Sequence, residues 1–304
     1  MRTTFLYIAL LLPLSLYSQD IRVKSVKRVR PANNGTYLLS GVVTGSRNLL
    51  VAGEGYKGLS MLDIRNGKII PISSEEGAGY DPAVTDNGRK VLFRTDSYSD
   101  NRKYSSVYSY DIESGDRQLL VDTEREVLPP VVSGNRVLLK SEKGKRIENY
   151  GTSLLKDASL ETFVVIEDMM PVIYQGAERK PLMPNGEGFY IWASLSPDGS
   201  MILYNYQGRN TYISDTDGKV LYDLGRINAP RWLNDNMVIG MDDRDDGYRI
   251  TGSELVYYSL TEKKRKVLTN SEERSEMFPF PMGKKKIAFT TDNGEIFIMK
   301  VRVR

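Results

Sequence analysis

Residues 189–225 carry the sequence pattern that most constrains the fold, because other segments of the chain repeat its order of features. A short apolar strand leads into a Ser-Pro-Asp-Gly turn at residues 196–199, and three more short strands follow. Proline sets φ and the Asp-Gly pair permits a positive φ, so the chain reverses sharply there. Four short strands joined by tight turns form an antiparallel meander, which exposes too much apolar surface to be stable alone.

The neighbours that such a meander needs are present in the same chain. Five further units follow the same order of features and begin near Val42, Pro82, Pro130, Ala229 and Pro279. Six units at this spacing are typical of propeller blades. No window of the sequence shows helical periodicity over three turns. The sequence therefore predicts an all-β fold, a six-bladed β-propeller of four-stranded antiparallel blades.

Residues 21–30 (IRVKSVKRVR) alternate apolar and basic side chains, which is typical of a strand with one buried face and one face in water. The last unit stops at the end of the chain without room for a fourth strand. We therefore expect the N-terminal strand to complete the C-terminal blade and close the ring. A strip that binds a membrane surface or an anionic polymer is the alternative.

The first 18 residues predict a signal peptide. They carry one basic residue, Arg2, then an apolar run at 5–16 that is too short to span a bilayer, and a small residue at Ser18. Cleavage before Gln19 would leave residues 19–304 as a single propeller domain. The chain has no cysteine, so it can form neither a disulfide nor a lipid-modified cysteine. We expect a soluble, exported, periplasmic protein without a membrane span.

Neither the charge nor the glycine-rich motif predicts nucleotide or nucleic-acid binding. The formal net charge is +3, and the basic residues are scattered through the strands. Residues 53–58 match the dinucleotide pattern G-x-G-x-x-G, but that pattern requires a helix immediately after it, and residues 59–64 are typical of a strand. We expect a hairpin loop at this position.

The acidic cluster Asp242, Asp243, Asp245 and Asp246 is the weak candidate for a metal site. Carboxylates at this density could bind calcium through oxygen ligands. Neither register of the twelve-residue calcium loop fits, however, because Gly247 or Arg244 falls at a ligand position. A solvated hairpin with Arg244 between the carboxylates is favoured, and we expect no metal and no other cofactor.

The absence of histidine and cysteine excludes several mechanisms. The chain cannot form a Ser-His-Asp or Cys-His nucleophile system, a histidine-ligated zinc site or a histidine general base. A carboxylate pair, a perturbed lysine or tyrosine, or a carboxylate-bound metal remains available for catalysis. No spacing in the sequence singles out one of these.

Residues 196–204 fit the form S-P-D-G-x-x-I-x-[FY], and residues 85–93 and 234–239 match it loosely. This pattern resembles the WD40-like (PD40) repeat of TolB-type propellers, and the likeness covers nearly all of residues 19–304. Members of that family act as periplasmic binding and scaffolding modules, which the resemblance implies here. Enzymatic propellers with a similar repeat, such as oligogalacturonate lyases, depend on histidines that this chain lacks.

Two functions are therefore carried forward. The first is a non-catalytic binding or scaffolding module that engages a protein, a peptide or another component of the cell envelope at one mouth of the channel. The alternative is a propeller hydrolase or lyase that acts on a glycan or similar substrate with carboxylates and a divalent metal. Fold alone cannot decide between them.

The residues just before the innermost strands should meet at one mouth of the channel, where propellers bind ligands. Alignment of the units on their turns places Asp81, Pro129, Trp192, Ala229 and Phe278 at equivalent positions. The predicted ligand-binding residues of this mouth are Tyr80, Asp81, Tyr190, Trp192, Arg231, Met277 and Phe278. The alternative is that Trp192 and Phe278 pack between blades.

Overall fold

The computed structural model describes residues 20–85, 87–134, 136–150, 162–271 and 273–303. Within these ranges the chain forms 26 strands, two 3-10 turns and no α-helix. The strands make seven separate antiparallel sheets. The architecture is a β-propeller of seven blades.

The blades follow one another along the chain. Blade 1 contains β2 (Leu38–Val42), β3 (Asn48–Ala52), β4 (Leu59–Asp63) and β5 (Ile69–Ser73). Blade 2 contains β6 (Ala83–Val84), β7 (Lys90–Ser99), β8 (Arg102–Asp111) and β9 (Arg117–Glu124). Blade 3 contains β10 (Val131–Ser133), β11 (Arg136–Ser141) and β12 (Gly144–Asn149). Blade 4 contains β13 (Thr162–Glu167), β14 (Met170–Gln175) and β15 (Glu178–Pro181).

The remaining blades have four strands each. Blade 5 contains β16 (Tyr190–Leu195), β17 (Met201–Tyr206), β18 (Asn210–Asp215) and β19 (Val220–Gly225). Blade 6 contains β20 (Asn228–Asn234), β21 (Met237–Asp245), β22 (Ile250–Ser259) and β23 (Lys264–Val267). Blade 7 contains β24 (Glu276–Pro281), β25 (Lys286–Thr291) and β26 (Ile296–Val303), and β1 (Ile21–Val29) is its outermost strand.

The strands that face the centre of the ring are β2, β6, β10, β13, β16, β20 and β24. Neighbouring inner strands contact one another from blade to blade, through the pairs β6 and β10, β10 and β13, β13 and β16, β16 and β20, β20 and β24, and β24 and β2. Such a ring of inner strands encloses a central channel.

The hydrophobic core is divided among the seven interfaces between blades. Successive residues of a strand point to opposite faces of its sheet, so each blade packs against both neighbours. In β3, Leu49 joins a cluster with residues of blade 7, whereas Leu50 joins a cluster with residues of blade 2. Each of the seven clusters combines two adjacent blades, and the cluster between blades 7 and 1 completes the circle.

The prediction of six blades is wrong, because the described residues form seven. Residues 162–181 form blade 4. Phe163 and Val165 pack against Leu138 of blade 3, and Val164 packs against Ile202 of blade 5. A segment that separates two blades and packs against both is a blade itself.

The predicted closing strand is confirmed. β1 pairs antiparallel with β26, from Ile21 opposite Val303 to Val29 opposite Ile296. The expected buried face of this strand is wrong, since only its two ends are buried. As the outermost strand of its blade, β1 has no neighbour beyond it in the sheet, and its middle residues lie in water.

The predicted signal peptide, residues 1–18, lies outside the described residues. No helix in the described part of the chain is long and apolar enough to cross a membrane.

Candidate active site

Two adjoining cavities occupy the central channel. The larger has a volume of about 670 Å³. It is lined by residues of β7, β8, β10, β13 and β16, of the loop after β3, and of the segments before β6 and β10. The smaller, of about 180 Å³, is lined by residues of β2, β16, β20 and β24. Five residues border both cavities: Tyr56, Tyr80, Asp81, Trp192 and Ala193. We call these five residues the junction.

A repeated backbone distortion shapes the channel wall. Four equivalent residues that are not glycine have a positive φ: Asp81 at 50°, Trp192 at 55°, Ala229 at 44° and Phe278 at 51°. The pairing of β16, β20 and β24 with the next strand loses register at these positions. Left-handed backbone is unfavourable for a bulky residue and for one before proline, and such strain concentrates at functional sites. Four of the five positions that the sequence alignment makes equivalent therefore share one unusual conformation.

Five of the seven predicted ligand-binding residues line the cavities. Tyr80, Asp81 and Trp192 border both, and Arg231 and Phe278 line the smaller one. Trp192 is 41% exposed, so its indole faces the channel and is not buried between blades. Phe278 is half-buried and also contacts the core between blades 6 and 7. Their role in binding a ligand stays a prediction.

Tyr190 and Met277 do not line either cavity. Tyr190 is fully buried, and its hydroxyl donates a hydrogen bond of 2.7 Å to the carbonyl of Gly186. Met277 packs against the core between blades 6 and 7. In a regular strand, residues two apart share a face of the sheet. Tyr190 should share the face of Trp192 by that rule, but the bulge at Trp192 reverses the relation.

Tyr56 belongs to the junction although the sequence alignment did not include it. It follows β3 in the glycine-rich residues 53–58, which form a loop with one 3-10 turn before β4, as the hairpin prediction requires. Its ring meets that of Tyr80 edge to face, with centroids 5.3 Å apart. Gly79 donates its amide to the Tyr56 carbonyl at 3.0 Å, and a Cβ at Gly79 would lie 2.1 Å from that of Ala52. Only glycine allows the two segments to approach this closely.

Arg231 places a guanidinium in the channel without a carboxylate bonded to it. Among the described residues its side chain has no hydrogen-bond or ion-pair partner, and its guanidinium stacks on the ring of Phe280 at 3.8 Å. Burial lowers the pKa of Arg231, and the charge of Asp81 only partly opposes this effect. Arg231 is half-buried, and a cation held partly away from water with no carboxylate bonded to it favours an anionic ligand.

Asp81 and Tyr80 add an acid–base pair beside this cation. Neither the Asp81 carboxylate nor the Tyr80 hydroxyl has a hydrogen-bond partner in the described part of the chain. Burial raises the pKa of Tyr80, and the negative charge of Asp81 raises it further. The phenol therefore keeps its proton at neutral pH and can act as a hydrogen-bond donor or as an acid.

A buried ionic network supports Tyr80 from behind. Arg94 lies over the Tyr80 ring, 5.6 Å from its centroid, and donates to the carbonyl of Val127 at 3.0 Å. Its Nε lies 3.2 Å from Asp96 Oδ1, and Lys103 Nζ lies 2.8 Å from Asp96 Oδ2. Both oxygens of Asp96 are thus occupied, so this carboxylate serves the structure of the cavity wall.

The four predicted acidic residues, three at the end of β21 and one in the turn after it, do not converge. Asp242 pairs with Arg265, Asp243 accepts a hydrogen bond of 2.6 Å from Asn228, and Asp245 lies 3.5 Å from Arg226. Asp246 accepts backbone hydrogen bonds within its own turn. Among the described residues, no three His, Cys, Asp or Glu side chains are placed to hold a metal ion. The divalent metal of the alternative function has no matching ligand set there.

Comparison with solved structures finds other propellers. The structure of an oligogalacturonate lyase from Vibrio parahaemolyticus matches with a TM-score of 0.50 and 12% identity, over 93% of this chain and 97% of that chain. An oligogalacturonate lyase in complex with manganese matches with a TM-score of 0.49 and 13% identity, over 84% of this chain and 74% of that chain. No protein-family model matches the chain, and no curated protein does.

These likenesses bear on two of the sequence predictions. At 12% identity the Vibrio structure shows a shared propeller fold. The prediction that the protein is not an enzyme is contradicted, because a solved propeller that matches 93% of this chain is a lyase. The reasoning from missing histidines excluded only those mechanisms that need histidine. Membership of the TolB-like family stays a prediction.

Proposed function

We propose that the protein is a carbohydrate-active enzyme that binds an acidic oligosaccharide in the central channel. The observation that carries the proposal is Arg231, a guanidinium with no anionic partner bonded to it among the described residues, set in a cavity with aromatic walls. A planar guanidinium binds a carboxylate through two parallel hydrogen bonds. Uronic acids are the sugars that carry such a carboxylate.

The shape and lining of the channel support a sugar chain as the ligand. The larger cavity has the volume of a typical small-molecule site, and the smaller one extends it past the junction. Trp192 and Tyr80 present partly exposed aromatic rings at the junction, where a sugar ring could lie flat against them. The match to an oligogalacturonate lyase, a propeller named for an acidic oligosaccharide, agrees with this ligand class.

Binding measurements test the proposal. A galacturonate trimer and a neutral galactose trimer are titrated into the protein by calorimetry at physiological salt, for wild type and for Arg231→Gln. We expect the acidic trimer alone to bind, and Arg231→Gln to lose about 1.5–3 kcal/mol, roughly 10- to 150-fold in Kd, because a hydrogen bond to a charged group is removed. Arg209→Gln is the matched control, since Arg209 is exposed on the turn between β17 and β18.

Two results would contradict the proposal. One is equal affinity for the acidic and neutral trimers, since the guanidinium would then select nothing. The other is an equal loss of affinity in Arg231→Gln and Arg209→Gln, which would mark a general charge effect. Export to the periplasm and a protein, peptide or other partner in the cell envelope stay predictions from the sequence.

A further inference from the structure

We propose that the outer rim of blade 7 is a second binding site, which takes a linear acidic polysaccharide outside the channel. The site is one face of the two-stranded ribbon formed by β1 and β26, and four basic residues compose it: Arg22, Lys27, Lys300 and Arg302. We call these four residues the basic face. The inference takes its ligand class from the proposed function and so rests on it, and it extends that function from short oligosaccharides to long chains.

The register of the two strands places the four cations on one side of the sheet. Arg22 lies opposite Arg302. Lys27 lies opposite Ile298 and therefore diagonal to Lys300. Residues that pair across antiparallel strands point to the same face, with Cβ atoms about 5 Å apart when directly opposite and about 7–8 Å apart when diagonal. The four positive charges thus form a continuous row along the ribbon.

The described residues leave this row of charges uncompensated. All four side chains are exposed, and none has an ion-pair or hydrogen-bond partner in the described part of the chain. Like charges directly opposite one another are destabilising, so Arg22 and Arg302 repel. On the other face of the same ribbon, Arg28 is compensated by Glu295, with Nη1 and Oε1 2.7 Å apart. A bound polyanion would relieve the repulsion on the basic face.

The outer edge of β1 disfavours an acidic peptide as the partner. β1 is the outermost strand of its sheet, and an open edge of this kind can accept an extended peptide as an added strand. A bulge at Lys24, however, shifts the register between Val23 and Ser25. Such a bulge interrupts the regular edge that an added strand needs. Ionic contacts with side chains do not need a regular edge.

The exposed valines of β1 disfavour a membrane surface as the partner. Val23 is 39% exposed and Val26 is 40% exposed. They lie opposite Val301 and Met299, which belong to the core between blades 6 and 7, so they are on the face away from the basic face. Proteins that lie on a bilayer direct apolar groups into it and hold cations at its surface. A flat bilayer cannot meet both faces of this ribbon at once.

A linear polyanion fits a row of cations along an extended strand. β1 has nine residues, which span about 30 Å at about 3.3 Å per residue. A chain of uronic acids carries one carboxylate on every sugar, so several carboxylates can reach the row together. Each exposed contact is weak, but contacts that are linked in one chain add to one another. Affinity should therefore rise with the length of the polysaccharide.

The test separates the rim from the channel by chain length. Polygalacturonate, the galacturonate trimer and neutral galactan are titrated into the Arg231→Gln protein by calorimetry, because that change weakens binding in the channel. We expect polygalacturonate to bind far more tightly than the trimer and galactan not to bind. Added salt should weaken the binding of the polymer, because salt screens exposed charges.

Two double variants in the same background test the assigned residues. Arg22→Gln with Lys27→Gln, and Lys300→Gln with Arg302→Gln, should each weaken polygalacturonate binding about 3- to 30-fold, because each removes two exposed ionic contacts. Neither should lower Tm, since each also removes like-charge repulsion.

Two further variants serve as a matched control and as a separate readout. Arg209→Gln with Lys219→Gln removes the same charge from exposed positions of blade 5 and should change the affinity less than about twofold. Arg302→Glu sets a carboxylate opposite Arg22, so it should raise Tm while it weakens polymer binding.

The outcomes separate the inference from the proposed function. If the trimer does not bind the wild type, the proposed function fails, whatever the rim does. The inference is overturned if polygalacturonate does not bind the Arg231→Gln protein, or if the blade 5 control loses as much affinity as the basic-face variants. Tighter binding of anionic phospholipid vesicles or of polyglutamate to the basic face would also overturn it, because the partner would then be a membrane or an acidic protein. Basic-face variants that bind the polymer normally but precipitate would show that the charges only protect an open edge, and would overturn it too.

Discussion

Truncation of Ile21 tests whether the N-terminal strand closes the ring through packing. Ile21 is 7% exposed and lies in the core cluster between blades 6 and 7, where Tyr257 is among its members. Isoleucine to alanine removes three carbon atoms, at about 0.8 kcal/mol each when buried, which predicts a loss of about 2.4 kcal/mol before any cavity term. For a chain of this size, that loss lowers Tm by about 5–10 °C.

Val26→Ala is the matched control on the same strand. Val26 is 40% exposed in the middle of β1, so its truncation should change the free energy of unfolding by less than about 0.5 kcal/mol. Urea unfolding followed by far-ultraviolet circular dichroism measures both variants. Equal stability of the two would refute the reasoning, because it would show that the buried end of β1 contributes no more than its exposed middle.

Three further predictions concern the stability of the folded protein. The hydrogen bond from Tyr257, and then Lys266, lower the pKa of Asp20. Asp20 therefore stabilises the folded protein at neutral pH, and this contribution is lost as the pH falls through the lowered pKa. In urea unfolding, Asp20→Asn should cost less than about 1 kcal/mol at neutral pH and nothing in strong acid. Burial raises the pKa of Glu276, which is 1% exposed. The free energy of unfolding of the wild type therefore falls as the pH rises through the raised pKa. Glu276→Gln should have a higher Tm than the wild type at alkaline pH but not at acid pH. At Trp192, glycine should be more stable than alanine by about 0.5–1 kcal/mol in urea, because the left-handed backbone costs alanine about 1–2 kcal/mol. The opposite order at Trp192 would show an extended backbone there.

The repeat pattern was sufficient to predict the propeller and its closure. Residues 189–225, where the pattern predicts four short strands, contain the four strands of blade 5. The missing fourth strand of the last unit predicted the pairing of β1 with β26, because an unpaired edge and an unpaired alternating strand stand at opposite ends of the chain. A repeat, and a strand that is missing from a repeat, can be interpreted from the sequence alone.

The seventh blade could not be predicted, because the sequence does not show whether residues 162–181 extend the third unit or form a unit of their own. Their separation from blade 3 depends on packing. Phe163 and Val164, adjacent in the sequence, contact blade 3 and blade 5 respectively, and only the three-dimensional structure shows which neighbour each one has.

The candidate site was predicted in part for a similar reason. Alignment on turns located Asp81, Trp192 and Phe278 because each stands at the same step of its unit. Tyr190 was misplaced because a bulge changes the face of a side chain and leaves no mark in the local sequence. Tyr56 was missed because it comes from the hairpin between the second and third strands, which opens on the same face as the start of the inner strand.

The left-handed backbone at Asp81, Trp192, Ala229 and Phe278 and the unbonded charges of the described channel both raise the free energy of the folded protein. Left-handed backbone at bulky residues costs about 1–3 kcal/mol at each position, and a guanidinium set apart from water adds a desolvation cost. Both costs fall on the channel wall, whereas favourable burial is distributed over seven interfaces between blades. Strain of this kind persists only where the surrounding structure determines it, and here the closed circle of blades does so. A ligand that supplies a carboxylate to Arg231 would recover part of the desolvation cost of the guanidinium. The channel is therefore where a ligand would gain free energy of binding.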